Sequence, residues 1–314
     1  MLKRKFVKRV SLILFVFVSI FIITLFPKEK NLDTEVSYSD DTGIIYLLNE
    51  DSLLVRLNII YDSSNDLDLV KEIINLLTIG SEINYRISDN FNPIIPKNTK
   101  LLNAFIDKDI LYLDFNKELL NISKDLEEVM IESIVFSITS NINIKGIKLM
   151  IDGVSLDRLP KTNKVLPEYL DRTIRINKVY DISSLNNINY TTIYLPTMYD
   201  DETYYLPVTK VSNNDQDKIE IIIDELKSSS TYDTNMVSYL NEETQLIDFE
   251  VMEDSILLNF NNYILDTKTS KLIEEITYSI NLSIKDNYNV SSVMYMVDDK
   301  IIDNYFLLLG WECK

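Results

Sequence analysis

Histidine is absent from this chain, and its 314 residues include one cysteine, five glycines and one tryptophan. Each shortage removes a class of chemistry. Without histidine there is no Ser-His-Asp or Cys-His nucleophilic system, no His-ligated zinc and no His general base. The lone thiol, Cys313, is next to the last residue and has no second cysteine to pair with, so no intrachain disulfide forms. It reads as a tail thiol, and an envelope protein that avoids thiols fits that count. Neither a G-x-G-x-x-G nor a Walker loop occurs, and five glycines cannot line a phosphate cradle. Positive charge is also scarce: 31 Lys and Arg stand against 49 Asp and Glu, a net charge of −18. Five of the positive charges lie in the first nine residues, which leaves about −23 on the remainder. So acidic a body repels phosphate backbones, which excludes nucleic acid as a partner, and it stands off from an anionic membrane surface.

Carboxylate chemistry survives these exclusions. The densest clusters are Asp200-Asp201-Glu202 and Asp298-Asp299. A calcium site needs several converging oxygens, and neither cluster has calcium-loop spacing with a glycine at the bend, so both read as solvated turns. The sequence therefore assigns no catalytic, cofactor-binding or metal-binding residue.

What the chain does have is a repeat. Leu101 to Gly153 runs LLNAFIDKDILYLDFNKELLN, LEEVMIESIVFSITS, IKGIKLMIDG; a later stretch runs LIDFEVMEDSILLNFNNYILD, SKLIEEITYSINLSI, VSSVMYMVDD. Thr99 matches Thr244, Leu101 matches Leu246 and Phe115 matches Phe260, at an offset of 145; Asp152 matches Asp298 one residue later. Two long copies indicate two similar domains, not a solenoid of short units. A hydrophobic content of 46% rules out a disordered body.

The first copy begins with strands at Gly43–Leu48 and Leu53–Tyr61 around an Asn49–Ser52 turn. Ser63 to Asp66 offers N-caps, Val70, Ile73, Ile74 and Leu77 form a helical stripe, and Gly80 is placed as its left-handed C′ residue. The second copy repeats this with Ile193–Leu195, Tyr204–Val211 and the stripe Ile219, Ile222, Ile223, Leu226; Tyr194 matches Tyr46 at an offset of 148. A loop fixed by Pro93 and Pro96 leads to a hairpin, Leu101–Ile106 and Ile110–Phe115, with Asp107-Lys108-Asp109 at its turn. A long helix follows, capped by Ser123 or Asp125 with Glu127 and Glu128 in its first turn. Its expected buried face is Leu126, Val129, Met130, Ile134 and Ile138; in the second copy it is Leu272, Ile273, Ile276, Ile280 and Ile284. Strands at Ile147–Ile151 and Val293–Val297 close each copy. The expected class is α+β: two tandem similar domains, each a mixed, largely antiparallel sheet with two helices packed on it.

Boundaries follow from composition. Residues 1–27 are an N-terminal transmembrane anchor: Lys3, Arg4, Lys5, Lys8 and Arg9 precede an apolar run from Val10 to Phe26. As a helix the run spans roughly 26 Å, close to a bilayer core of about 30 Å. The basic flank places the N-terminus in the cytoplasm and the body outside, in a single pass through the cell membrane. A cleaved signal peptide is the rival reading, though no A-x-A pattern ends the run. Residues 28–41 form a polar linker, 42–160 the first domain, 161–189 an interdomain segment and 190–314 the second domain. The apolar tail from Asn304 to Trp311 reads as a last strand or a lid, or as an exposed patch for a partner.

Pro93, Pro96, Thr99 and Leu101, then Leu-Tyr-Leu-Asp-Phe ending at Asp114 and Phe115, then the long helix and the closing Asp152-Gly153, resemble the GerMN domain of the GerM family of sporulation and spore-germination proteins. The likeness covers most of both halves. Copy two departs from it: Asn259 stands for Asp114, Asp299 for Gly153, and the proline pair is missing. The N-terminus departs too, because no lipobox cysteine follows the apolar run. Leu166-Pro167, Arg172 and Asn177 are similar to the segment that follows such domains and are expected to pack back on the first. The resemblance implies a non-enzymatic extracytoplasmic protein that helps to assemble envelope complexes, with domains akin to the ring-building modules of secretion-like channels and envelope proteins as partners. The alternatives are a carboxylate-based hydrolase of cell-wall glycan, which needs two carboxyl groups roughly 5–10 Å apart across a cleft, and a ligand-binding module with a deep pocket. The sequence names neither the partner nor the oligomeric state.

Overall fold

The structure is a computed structural model that describes residues 42–63, 65–227 and 240–306. The expected anchor and linker (1–41), most of the apolar tail and Cys313 lie outside the described residues. Among those described, no helix is long and apolar enough to cross a membrane.

Strands β1 (Thr42–Leu48) and β2 (Leu54–Ile60) pair antiparallel across a turn whose Asn49 side chain accepts a hydrogen bond from the Leu53 N–H. Helix α1 (Asp66–Leu77) starts at Asn65, whose side chain caps the Asp68 N–H. Its residues Val70, Ile73, Ile74 and Leu77 are buried as their spacing predicts. The helix ends sooner than expected. Thr78 is its C-cap in extended conformation, and Gly80 (φ +75°) instead turns the chain beyond it, with the Ser81 N–H bonded to the Thr78 carbonyl. Then come β3 (Leu101–Asp107), β4 (Ile110–Phe115), α2 (Lys124–Thr139), β5 (Gly146–Ile151) and a short β6 (Val154–Ser155). Strand β7 (Lys178–Asp181) belongs to the connection. The second half repeats the series with β8 (Asn189–Tyr199), β9 (Glu202–Ser212), α3 (Lys218–Lys227), β10 (Leu246–Val251), β11 (Ser255–Phe260), α4 (Glu274–Asn287), β12 (Ser292–Val297) and β13 (Lys300–Phe306). Leu272 and Ile273 precede α4 instead of opening it, Ile273 being its N-cap. Asn304 to Phe306 is the end of a last strand.

Each half holds one mixed four-stranded sheet, ordered β3-β4-β5-β6 and β10-β11-β12-β13. The long-helix crossovers make β4–β5 and β11–β12 parallel, and the remaining pairs are antiparallel. The α+β class is as the sequence implies. The opening hairpins add something it does not imply: they join neither of these sheets. β1-β2 and β8-β9 merge edge to edge into one five-stranded sheet, with β7 alongside β9. Strands β8 and β9 are also longer than expected, 11 residues each, and carry Pro196 and Pro207. Pro207 is tolerated in a central strand because it faces a gap: β2 meets β9 at Tyr205 and β7 meets it from Thr209 on.

The long helices are buried on more than the one face their apolar residues mark. In α2, Glu132, Ser133 and Ser137 are buried along with Ile134 and Ile138. The reason is its position between the first four-stranded sheet and the outer edge of β1. Ser137 Oγ accepts from the Tyr46 N–H (3.0 Å), Ser133 Oγ donates to the Tyr46 carbonyl (2.8 Å), and Asn141 brackets Ile44 on both its N–H and C=O. Helix α4 does the same to β8: Ser283 accepts from the Tyr194 N–H, Ser279 donates to its carbonyl, and Asn287 brackets Thr192. Side chains thus satisfy edge groups that would otherwise invite another strand.

Candidate functional site at the junction of the two halves

The segment after β6 returns to the first half, as Leu166-Pro167 implies. Leu170 and Ile147 exchange backbone hydrogen bonds of 2.7 and 2.8 Å. The close approach needs Gly146, since a Cβ there would stand 2.4 Å from the Tyr169 ring and 2.9 Å from the Leu170 carbonyl. Earlier in the same segment, the Glu127 carboxylate accepts the Lys161 and Thr162 N–H groups and the Thr162 hydroxyl. The segment thereby delivers Arg172 and Asn177, the two residues singled out in the sequence, to the place where the halves meet.

Asn177 fills the gap between β2 and β9. Its Oδ1 accepts from the Leu54 N–H (3.0 Å), and its Nδ2 donates to the carbonyls of Leu54 (2.8 Å) and Pro207 (2.7 Å). Its N–H donates to Glu132, which also pairs with Lys178. Burial raises the pKa of Glu132 despite that cation beside it.

Arg172 lies over the Phe136 ring at 4.2 Å and donates to Asp286 Oδ1 (2.9 Å), Ser140 Oγ (3.0 Å) and Tyr194 Oη (3.0 Å). The Tyr194 hydroxyl in turn lies 3.2 Å from that of Tyr46. The cluster therefore takes Phe136, Ser140 and Tyr46 from the first half, Tyr194 and Asp286 from the second, and its central cation from the connection. Desolvation works to lower the Arg172 pKa, but the Asp286 carboxylate and the tyrosines hold it above the ordinary value. Burial, and then Asp286, push the Tyr194 hydroxyl up, so it remains a neutral hydrogen-bonding group.

Above this cluster opens a cavity of about 490 Å³. Its walls carry Arg56, Lys145, Arg172, Arg175 and Lys285 as cations, Asp171 and Asp286 as anions, and Ile44, Ile144 and Leu282 as apolar patches. Burial, then the charge of Arg175, hold the Lys218 pKa below its ordinary value. The tyrosine pair had a signal in the sequence, the recurrence of Tyr46 at Tyr194. Arg56, Lys145 and Asp286 had none, because no local spacing links them.

The acidic clusters lie elsewhere. Asp200-Asp201 and Asp298-Asp299 are two-residue hairpin turns with all four residues at positive φ, as are Lys108-Asp109 and Asp152-Gly153. Asp200 accepts from Asn90, and Asp299 from Asn259. Among the described residues no three carboxylates or thiols converge as a metal site would require.

Comparison with known proteins agrees with this architecture. Residues 44–157 match the family model described as Germane, sporulation and spore germination. The spore germination protein GerM of Bacillus subtilis is 26% identical over 263 residues, which cover 82% of this chain and 71% of that protein. The solved tandem GerMN domains of the same organism's sporulation protein GerM superpose with a TM-score of 0.74 at 24% identity, over 82% of this chain and 91% of that one.

Proposed function

We propose that this chain, a GerM-like protein whose two halves are tandem GerMN-type domains, acts in sporulation or spore germination as a membrane-anchored, non-catalytic assembly factor for an envelope complex. One observation carries the reading: apolar side chains stay exposed at matching places on β3 and β10, each an end strand of its sheet. Leu102 and Ile247 are 51% and 52% exposed, and Ile106 and Val251 39% and 49%. Both pairs keep the 145-residue offset of the repeat. Scattered exposed apolar residues need no explanation, but the same ones on the same free edge twice point to a surface in use. An end strand with unpaired backbone groups also offers a partner a place to add a strand.

The carboxylates of the junction cavity support a role without hydrolysis. Asp286 is held by Arg172, and Asp171 accepts from the N–H and hydroxyl of Thr173. Neither is placed as a free general acid or base. The anchor, residues 1–27, would keep these surfaces outside the cytoplasmic membrane.

The test is site-specific photocrosslinking in membranes of the producing cells. Probes at Leu102 and Ile247 are expected to capture the same envelope protein, while a probe at Leu185, 84% exposed on the connection, captures none. Adducts equal to those of Leu185 would sink the assembly reading. Release of the full chain by a salt wash would sink the anchor, and glycan cleavage lost on Asp286→Asn would establish the hydrolase alternative.

A further inference from the structure

We infer that the cavity between the two halves is a binding site for a small multivalent oxyanion, a molecule bearing phosphate or carboxylate groups. Its volume of about 490 Å³ suits a small organic ligand. Its charge runs against that of the molecule: five cations and two carboxylates line it, in a chain whose acidic residues outnumber its basic ones by 49 to 31.

The two carboxylates of the walls do not cancel the charges of Arg56, Lys145 and Arg175. Asp286 serves Arg172, and Asp171 serves Thr173. Three other cations lie against rings: Arg56 over Tyr278 at 5.6 Å, Lys145 over Tyr169 at 5.0 Å and Arg175 over Tyr190 at 5.3 Å. A ring face steadies a cation without neutralising it, so the three charges are held in place and remain attractive to an anion.

Arg56 carries the argument further. It is 3% exposed, and its cross-strand partner Tyr46 places it on the cavity side of the shared sheet. Its Nη1 donates to Asn58 Oδ1 (3.1 Å), but its buried Nη2 has no hydrogen-bond partner among the described residues. It also lines a smaller cavity of about 280 Å³ beside Arg86 and Glu202. A buried guanidinium N–H left unpaired is costly, and an oxyanion in the larger cavity would satisfy it. Arg175 adds backbone strain: at φ 64° and ψ 166° it occupies a conformation that favours glycine. Strain of this kind persists only where the surroundings hold it, and the Tyr190 ring lies against the Arg175 guanidinium.

The experiment is thermal unfolding of the purified full chain with pyrophosphate or citrate, against sodium chloride at matched ionic strength. One of the two anions is expected to raise Tm by about 5 °C at roughly a hundredfold its Kd. A response to pyrophosphate alone identifies phosphate as the recognised group, and a response to citrate alone identifies carboxylate. Arg175→Gly is expected to raise the basal Tm, because the strain is relieved, and to bind the anion at least tenfold more weakly. Lys145→Gln, at an exposed position, is expected to weaken binding several-fold at unchanged basal Tm. The inference is overturned if neither anion exceeds the salt control, or if both variants respond as fully as the parent.

Discussion

At the residue scale, two of the second copy's departures from the motif, Asn259 and Asp299, are a single change made at both ends of one contact. In the first half Asp114 Oδ1 accepts from the Gly153 N–H at 2.9 Å. In the second, Asn259 Nδ2 donates to the Asp299 carboxylate at 2.7 Å, and Asn259 Oδ1 accepts from the Asp299 N–H. Each pair holds one negative charge. Gly153→Asp alone would set two carboxylates against each other where the β5–β6 turn meets β4, at a cost of about 1 kcal/mol. Space is not the obstacle, since a Cβ at Gly153 meets nothing within 4 Å among the described residues, but at φ +80° the side chain adds backbone strain to that cost. Adding Asp114→Asn should restore stability, so a double-mutant cycle by urea unfolding is expected to show coupling of about 1 kcal/mol; strictly additive changes would refute it. Glu72 illustrates a charge in the opposite situation. Burial works to raise its pKa, but the Ser63 hydroxyl, the Arg86 guanidinium and the Asp62 N–H together hold it below the ordinary 4.5. The unfolded chain therefore takes up the proton first as pH falls. The stability Glu72 contributes is present above about pH 4.5 and is lost as pH falls through its folded-state pKa. The Tm difference between the parent and Glu72→Gln should be constant near neutrality and narrow under acid; a constant difference down to pH 3 would contradict this.

Elements were legible where their periodicity is local. Alternation gave the hairpins, the i, i+3, i+4 spacing gave α1 and α3, and the repeat tied one half to the other. The long helices were only partly legible. Ser133, Ser137 and Asn141, like Ser279, Ser283 and Asn287, recur every four residues on one stripe, yet polar residues in a helix read as a solvated face. They are instead the clasp on the outer strands of the shared sheet, an arrangement visible only once β1 and β8 lie beside them. Serine and asparagine are weak helix formers, so propensity gave no hint that these stripes matter. Asn141→Ala is expected to leave the Ile44 N–H unpaired, while its C=O keeps the Tyr61 hydroxyl, at a cost of about 1–3 kcal/mol by urea unfolding. It should also free the β1 edge, so light scattering on mild heating should rise before global unfolding. Asn287→Ala should act alike on β8. If both alanine variants match the parent in both measurements, the clasp contributes nothing.

At the scale of the whole molecule, the question is why two similar halves behave as one body. The described residues from 42 to 306 form one compact unit, and the shared sheet supplies the continuity. That fusion was not legible, because pairing between strands far apart in sequence leaves no periodic mark on either. Yet β2 and β9 meet at a single ladder position, Arg56 with Tyr205, so the sheet alone is a weak seam. Asn177 reinforces it, buried and held at φ 44° by its bonds to Leu54 and Pro207. Asn177→Ala removes three hydrogen bonds from the seam and leaves buried backbone groups unpaired, which should cost about 2–4 kcal/mol. Asn177→Gly loses the same bonds but adopts positive φ without strain, so it should be less destabilised by up to about 1 kcal/mol. The loss falls at the junction and not inside either half, so its signature is lost cooperativity. The parent is expected to unfold in one calorimetric transition, and both variants should broaden or split it as the halves come apart. Two transitions in the parent, or an unsplit one in both variants, would mean that the halves are coupled by something other than this seam.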